Sequence, residues 1–164
     1  MLKKIILAIG LLFLAAQFFR APINKVDNPE VYLDGIAQSL NMPDNVHAIH
    51  KKACYDCHTD HTNYPWYNSI TPINHWMYSH VRVGKKQLDY STLPSKRDKG
   101  FNHKLEEIIE ELEKGKTERF LGMPLYSYKW THKDARLTDE EIIALQDWAR
   151  AQLRGDISVV ENGE

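Results

Sequence analysis

Cys54-Tyr55-Asp56-Cys57-His58 decides how the rest of this 164-residue chain is read. Its spacing is C-x-x-C-H, the attachment sequence for a c-type haem. Two thiols can add across the two vinyl groups of the porphyrin and leave thioether bonds. The three-residue offset matches one turn of helix, so both sulfurs reach the same side. His58 follows at once, and its imidazole is placed to rise against the iron as proximal ligand. The chain has two cysteines, and this reading uses both.

Other readings of the pentapeptide are weaker. A closed structural zinc site needs four ligands. His47 and His50 complete a Cys2His2 set only in an unusual order. A thioredoxin-like redox pair belongs in a βαβ context, which the hydropathy pattern does not supply. A disulfide between such near neighbours is strained.

Upstream, Val46, Ile49, Ala53 and Cys57 fall on one helical stripe. A helix capped by Asp44 therefore leads into the motif, with Lys51 and Lys52 on a solvated face near its end. A weaker helix is predicted over 29–40, with Pro29 in its first turn. Residues 21–28 read as linker. Before them Lys3 and Lys4 precede an apolar run over 5–19, broken only by Gly10 and Gln17. This is the pattern of a secretory signal, short for a membrane span of about 20 residues. No clear A-x-A site follows, which favours an uncleaved anchor over a cleaved signal. Either way the remaining chain leaves the cytoplasm, with Lys3 and Lys4 staying inside.

Downstream, residues 59–67 read as a loop bearing large aromatics. A metal-bound imidazole gives its other N–H to a carbonyl or carboxylate, and the carbonyls of Pro65 and Pro72 are the candidates. Thr71-Pro72 reads as cap and first turn of a helix with Ile73, Trp76, Met77, His80 and Val81 on one face, closed by Gly84. Residues 88–100 read as irregular, with Lys96-Arg97-Asp98-Lys99 exposed. Leu105, Ile108, Ile109 and Leu112 mark a helix ending at Gly115. Its acidic run (Glu106, Glu107, Glu110, Glu111, Glu113) is a solvated face.

Gly122-Met123-Pro124 lies in a predicted loop rich in Tyr126, Tyr128 and Trp130. Met partners His on haem iron and raises the reduction potential, so Met123 is the candidate sixth ligand. Met77, His75, His80 and His132 stand behind it. Thr138-Asp139-Glu140-Glu141 is a capping box opening a last helix with Ile142, Leu145, Trp148, Ala149 and Gln152 on one face, stopped by Gly155. Residues 156–164 form a frayed tail.

The length fits one domain. A net charge of −1 lacks the basic excess of a general nucleic-acid binder. The expected organisation is a signal or anchor at 1–20, a linker and weak helix at 21–43, a haem-binding domain at 44–155 and a flexible tail at 156–164.

The order of helix, C-x-x-C-H, loop, helices, Met-Pro and capped terminal helix resembles a monohaem class I cytochrome c. More narrowly, the chain is similar to a family of short exported haem-binding domain proteins. That likeness rests on Ala53-Cys54-Tyr55-Asp56-Cys57-His58, Pro65-Trp66-Tyr67, Met123-Pro124 with Tyr128, and Ala135-Arg136-Leu137-Thr138, and covers about residues 44–153. It implies an all-α fold around one haem c, bound through Cys54 and Cys57 and ligated by His58 and Met123. The terminal helix is then expected to pack across the helix carrying the attachment site.

The leading functional expectation is one-electron transfer outside the cytoplasm. The redox partner protein is unidentified, and the amino-terminal segment holds the chain at the membrane. A peroxidase-like enzyme is the alternative, drawing on His61, His75, His80, His103 and Arg82, as is a haem-based gas or redox sensor.

Overall fold

The structure is a computed structural model and describes residues 1–93, 99–118 and 120–155. Among the described residues it is all helical, with no strand. The helices are α1 (Leu2–Ala16), α2 (Pro29–Ser39), α3 (Asp44–Ala53), α4 (Tyr55–His58), α5 (Ile73–Gln87), α6 (Lys99–Thr117), α7 (Tyr126–Thr131) and α8 (Asp139–Arg154). Short 3-10 turns at Trp66–Ser69 and Lys133–Ala135 join them. The expected tail, and Lys96, Arg97 and Asp98 of the basic stretch, lie outside the described residues.

The last helix forms as its sequence dictates. The Glu141 amide donates to Thr138 Oγ1 at 3.3 Å, and the Thr138 amide donates to Glu141 Oε2 at 3.0 Å. Gly155 ends the helix in the left-handed region at φ 70°, where a Cβ would be strained. Ile142, Leu145, Trp148 and Ala149 are buried. They form one core with Leu105, Ile108 and Leu112 of α6 and Val46 and Ile49 of α3. α8 thus lies along α6 and also packs on α3, the helix that leads into Cys54. It also closes the end of α2, because Trp148 Nε1 and Gln152 Nε2 both donate to the Leu40 carbonyl, at 3.3 and 2.8 Å. Terminal carbonyls of a helix need such partners.

Several boundaries differ from the sequence reading. Pro43, not Asp44, caps α3; Asp44 is its first helical residue, where a carboxylate meets the positive end of the dipole. Lys51 pairs with Glu30 and Asp34 of α2, and Lys52 pairs with Glu141 of α8, so both brace helices against each other. α5 starts at Ile73 behind Pro72. Thr71 does not cap it, since its hydroxyl donates to the Phe19 carbonyl at 3.0 Å. α5 runs through Gly84 to Gln87, and α6 through Gly115 to Thr117. Tyr126, Tyr128 and Trp130 stand on a short helix rather than a loop. α1 has no buried residue, and no described helix is long and apolar enough to cross a membrane.

The core carries one ionisable side chain with a testable consequence. His50 is 1% exposed. Its Nδ1 lies 2.8 Å from the Val46 carbonyl and its Nε2 3.0 Å from the Tyr90 hydroxyl. Burial pushes the imidazole from 6.5 down to about 4. An unfolded chain therefore takes up a proton near pH 6.5 that the folded chain refuses. His50 leaves stability untouched above about pH 6.5 and removes roughly 3 kcal/mol as the pH falls towards 4. Equilibrium unfolding at stepped pH should show this slope, and His50→Gln should flatten it.

Candidate functional site

The C-x-x-C-H stretch breaks the helix that leads into it. Cys54 is the C-cap of α3, and the chain re-enters a single turn, α4, from Tyr55 to His58. Tyr55 is buried and its hydroxyl donates to Met42 Sδ at 3.4 Å, which gives Met42 a packing role. Both cysteines are free and half-buried. Burial pushes each thiol up to about 12, helped at Cys54 by Cys57 and at Cys57 by Asp56. Reactive thiols have the opposite shift, because the thiolate is the nucleophile and the zinc ligand. Among the described residues, no three His, Cys, Asp or Glu side chains gather into a metal position. The engaged ring nitrogens of His50 also take it out of a Cys2His2 set.

His58 is buried. Its Nδ1–H donates to the Leu88 carbonyl at 2.9 Å, so neither Pro65 nor Pro72 is the acceptor. That bond leaves Nε2 as the nitrogen with a free lone pair, the tautomer a metal requires. Burial holds the imidazole below its ordinary value, against the carbonyls of Leu88 and Gly84 that draw it upward. The Tyr90 amide donates back to the His58 carbonyl at 2.8 Å. Residues 88–90 are thus laced to His58 from both sides.

Two glycines let other elements approach. A Cβ at Gly84 would sit 2.7 Å from the Cys57 carbonyl oxygen. Gly84 is therefore the place where α5 presses on the attachment turn, not a helix end. A Cβ at Gly115 would fall 2.2 Å from the Met123 carbonyl oxygen, and one at Gly122 2.1 Å from the Gly115 amide nitrogen. The Met123 amide donates to the Glu111 carbonyl at 2.9 Å. The Met123 segment is thereby seated directly on the backbone of α6.

These elements enclose two adjoining hollows. One holds about 600 Å³ and is lined by Cys54, His58, Tyr90, Ile108, Leu112 and Met123, with Lys104, Glu107 and Glu111 also on its wall. The other holds about 620 Å³ and is lined by Cys57, His58, Gly84, Met123, Leu125 and Tyr128. His58, Gln87 and Met123 belong to both, so the structure brings together all four predicted site residues. Most of the weaker ligand candidates go elsewhere. Met77 and His132 line a third hollow, which shares Cys57, His80, Leu125 and Tyr128 with the second but which neither His58 nor Met123 borders. His75 Nε2 is bonded to the Phe19 carbonyl at 3.1 Å. His80 lines the second half of the cleft, with its ring 4.4 Å from Trp76.

One strut escapes sequence reading. Asp56, inside the motif, accepts the Tyr128 hydroxyl on Oδ2 at 2.7 Å and the Asn63 amide on Oδ1 at 2.9 Å. It ties the attachment turn to α7, the element that follows Met123. Burial first and Asp56 second hold the Tyr128 hydroxyl protonated. A D followed by an aromatic seventy-two residues on carries no local signal.

No curated protein and no solved structure matches the chain. A family model described as haem-binding domain matches residues 11–151. The span takes in every residue named on the walls of the cleft, and the chain with its paired cysteines, laced histidine and seated methionine belongs to the haem-binding domain family.

Proposed function

We propose that one haem c is bound through thioether bonds to Cys54 and Cys57, with His58 and Met123 as its axial ligands. The protein then serves as a one-electron carrier outside the cytoplasm. The amino-terminal segment holds it at the inner membrane, and it exchanges electrons with another redox protein. When bound, the haem supplies one reversible electron; the chain supplies position and shielding. The observation that carries this reading is the shared cleft. His58 and Met123 line both halves, with Cys54 in one half and Cys57 in the other.

The residues present suit a covalent porphyrin. His58 donates through Nδ1 and keeps Nε2 for a metal. Both sulfurs border hollows with apolar walls from α5, α6 and α8, which would exclude water from a porphyrin held there, while His58 and Met123 would supply its imidazole and thioether ligands. Against the peroxidase-like alternative, the polar groups it needs are dispersed apart from His80, which borders the second hollow. His75 is spent on the Phe19 carbonyl, and His103 pairs with Glu107 on the surface. Neither they nor His61 and Arg82 line the two hollows.

Absorption spectra of the matured full-length chain and of Met123→Ala test the reading. The parent should show the weak far-red sulfur-to-iron band, and the variant should lose it. Carbon monoxide should bind the reduced variant about tenfold faster or more, since ~1.4 kcal/mol of lost ligation corresponds to tenfold. A parent chain that lacks the band, with a spectrum unchanged by the substitution, would move the sixth position to a histidine, with His80 first in line.

A further inference from the structure

We infer that the domain lies on a lipid bilayer in one fixed orientation. The face around the start of α5 is turned to the headgroups, and α1 is sunk in the lipid. This rests on the membrane-anchor reading above and adds which surface meets the membrane.

α1 has no polar face. Between Lys4 and Arg20 the run is apolar apart from Gly10 and Gln17, and no α1 residue is buried by the domain. A helix that is apolar all round suits lipid on every side; a groove or a second copy of the chain would need only one stripe. The twelve helical residues after Lys4, 5–16, span ~18 Å. The hydrocarbon core is ~30 Å thick. A helix this short draws its flanking residues, and whatever is fixed to them, down to the interface.

The segment after α1 is indeed fixed. Although 21–28 reads as a linker, residues 17–24 form a strap. Gln17 Nε2 donates to the Thr71 carbonyl at 3.0 Å, and the Thr71 amide returns a bond to Gln17 Oε1 at 2.9 Å. The Phe19 carbonyl accepts from the Thr71 hydroxyl and from His75 Nε2. Asn24 Nδ2 donates to the Thr59 carbonyl at 2.9 Å and to Thr62 Oγ1 at 3.0 Å. The exit of α1 is therefore locked to the first turn of α5, and the domain is not free to swing.

The surface next to that lock has the side chains of a membrane interface. Phe18 and Phe19 are 89% and 72% exposed. Trp66 and Trp76, on either side of Thr71 in the chain, are 79% and 51% exposed. Large exposed aromatics are costly in water and are favoured at headgroup level. Of the cleft residues, Gly84 and Gln87 lie about 12–16 Å further along α5 than Trp76, while His80, at the near rim, packs on the Trp76 ring at 4.4 Å. The orientation thus turns the far end of the cleft away from the bilayer, towards a partner in the aqueous phase.

The experiment uses the full-length haem-loaded chain in phosphatidylcholine–phosphatidylglycerol vesicles that include a phospholipid with a photoactivatable diazirine in its headgroup. Vesicles are floated and irradiated, and adducts are mapped by mass spectrometry. Phe18, Phe19, Trp66 and Trp76 should carry adducts about tenfold above α8 and His103, as expected of interfacial aromatics. Gln17→Ala/Thr71→Val/His75→Ala removes the side-chain bonds that lock residues 17–19 to the start of α5, and the variant should still float while Trp66 and Trp76 lose most of their adducts. A parent chain that floats with adducts confined to residues 1–20 overturns this orientation and leaves the anchor standing. A parent chain that stays out of the floated fraction and sediments as a dimer overturns the anchor as well.

Discussion

Cys54→Ser/Cys57→Ser should release essentially all of its pigment into acidified organic solvent, whereas the parent chain keeps its colour through the same treatment. The contrast follows from what each bond can survive. Under the proposed binding mode, coordination by His58 and Met123 would be lost when the chain unfolds and His58 takes up a proton. The cleft walls, drawn from helices as distant in sequence as α3 and α8, separate at the same time. Only thioether bonds outlast that step. Each single variant should retain the pigment on one sulfur, with a pyridine haemochrome spectrum displaced towards that of a free vinyl group. Serine also buries a hydroxyl where a thiol stood, a cost of about 1–3 kcal/mol. Cys54→Ala/Cys57→Ala should therefore show the same release without that penalty. The thiols are poor nucleophiles in the folded chain, since burial pushes both up to about 12. A role in thiol–disulfide exchange is not served by such a pair. Parent protein that bleaches completely in acid, with both thiols still open to alkylation, would sink the covalent reading.

The parts of this site that sequence makes legible are those encoded by neighbours. C-x-x-C-H places two sulfurs and an imidazole within one turn, and Thr138 with Glu141 writes a helix start into four residues. Met123 is singled out as a candidate because a thioether beside proline in an aromatic segment is a local pattern. The acceptor of His58 is not found, because it is the backbone carbonyl of Leu88. Any residue offers a carbonyl, so its identity is silent. The glycines fail for a related reason. Gly84 and Gly115 read as helix ends, since glycine weakens a helix interior by about 0.5–1 kcal/mol relative to alanine. Their use is instead to let a second backbone approach. That cause lies far along the chain, at Cys57 for one and Met123 for the other. Likewise 21–28 looks like a linker from Pro22, the flanking Pro29 and its polar residues, while the bonds from Gln17 and Asn24 that hold this region reach partners thirty-five to fifty-four residues away.

Gly122→Ala should disturb the sixth position without touching the fifth. Gly122 has φ +76°, and a Cβ there would meet three backbone atoms: the Gly115 nitrogen at 2.1 Å, the Glu111 oxygen at 2.6 Å and the Lys114 carbonyl carbon at 2.6 Å. None of these can swing aside as a side-chain end would. The left-handed conformation costs a non-glycine residue about 1–2 kcal/mol, and overpacking adds roughly 1–3 kcal/mol. The chain can relieve this only by lifting the 122–123 segment off α6, which breaks the bond from the Met123 amide to the Glu111 carbonyl. The expected phenotype is a melting temperature lower by about 5–15 °C, with the sulfur-to-iron band weakened or lost. Carbon monoxide access should rise towards that of Met123→Ala. Acid extraction should still leave the colour on the protein, because Cys54 and Cys57 are unaffected. Gly35→Ala is the matched control. It sits within α2 with nothing within 4 Å of the added carbon, so it should hold or slightly raise the melting temperature and leave the spectrum alone. If Gly122→Ala kept both the parent's band and its melting temperature, α6 would not be what seats Met123, and the geometric argument for that residue as a ligand would lose its support.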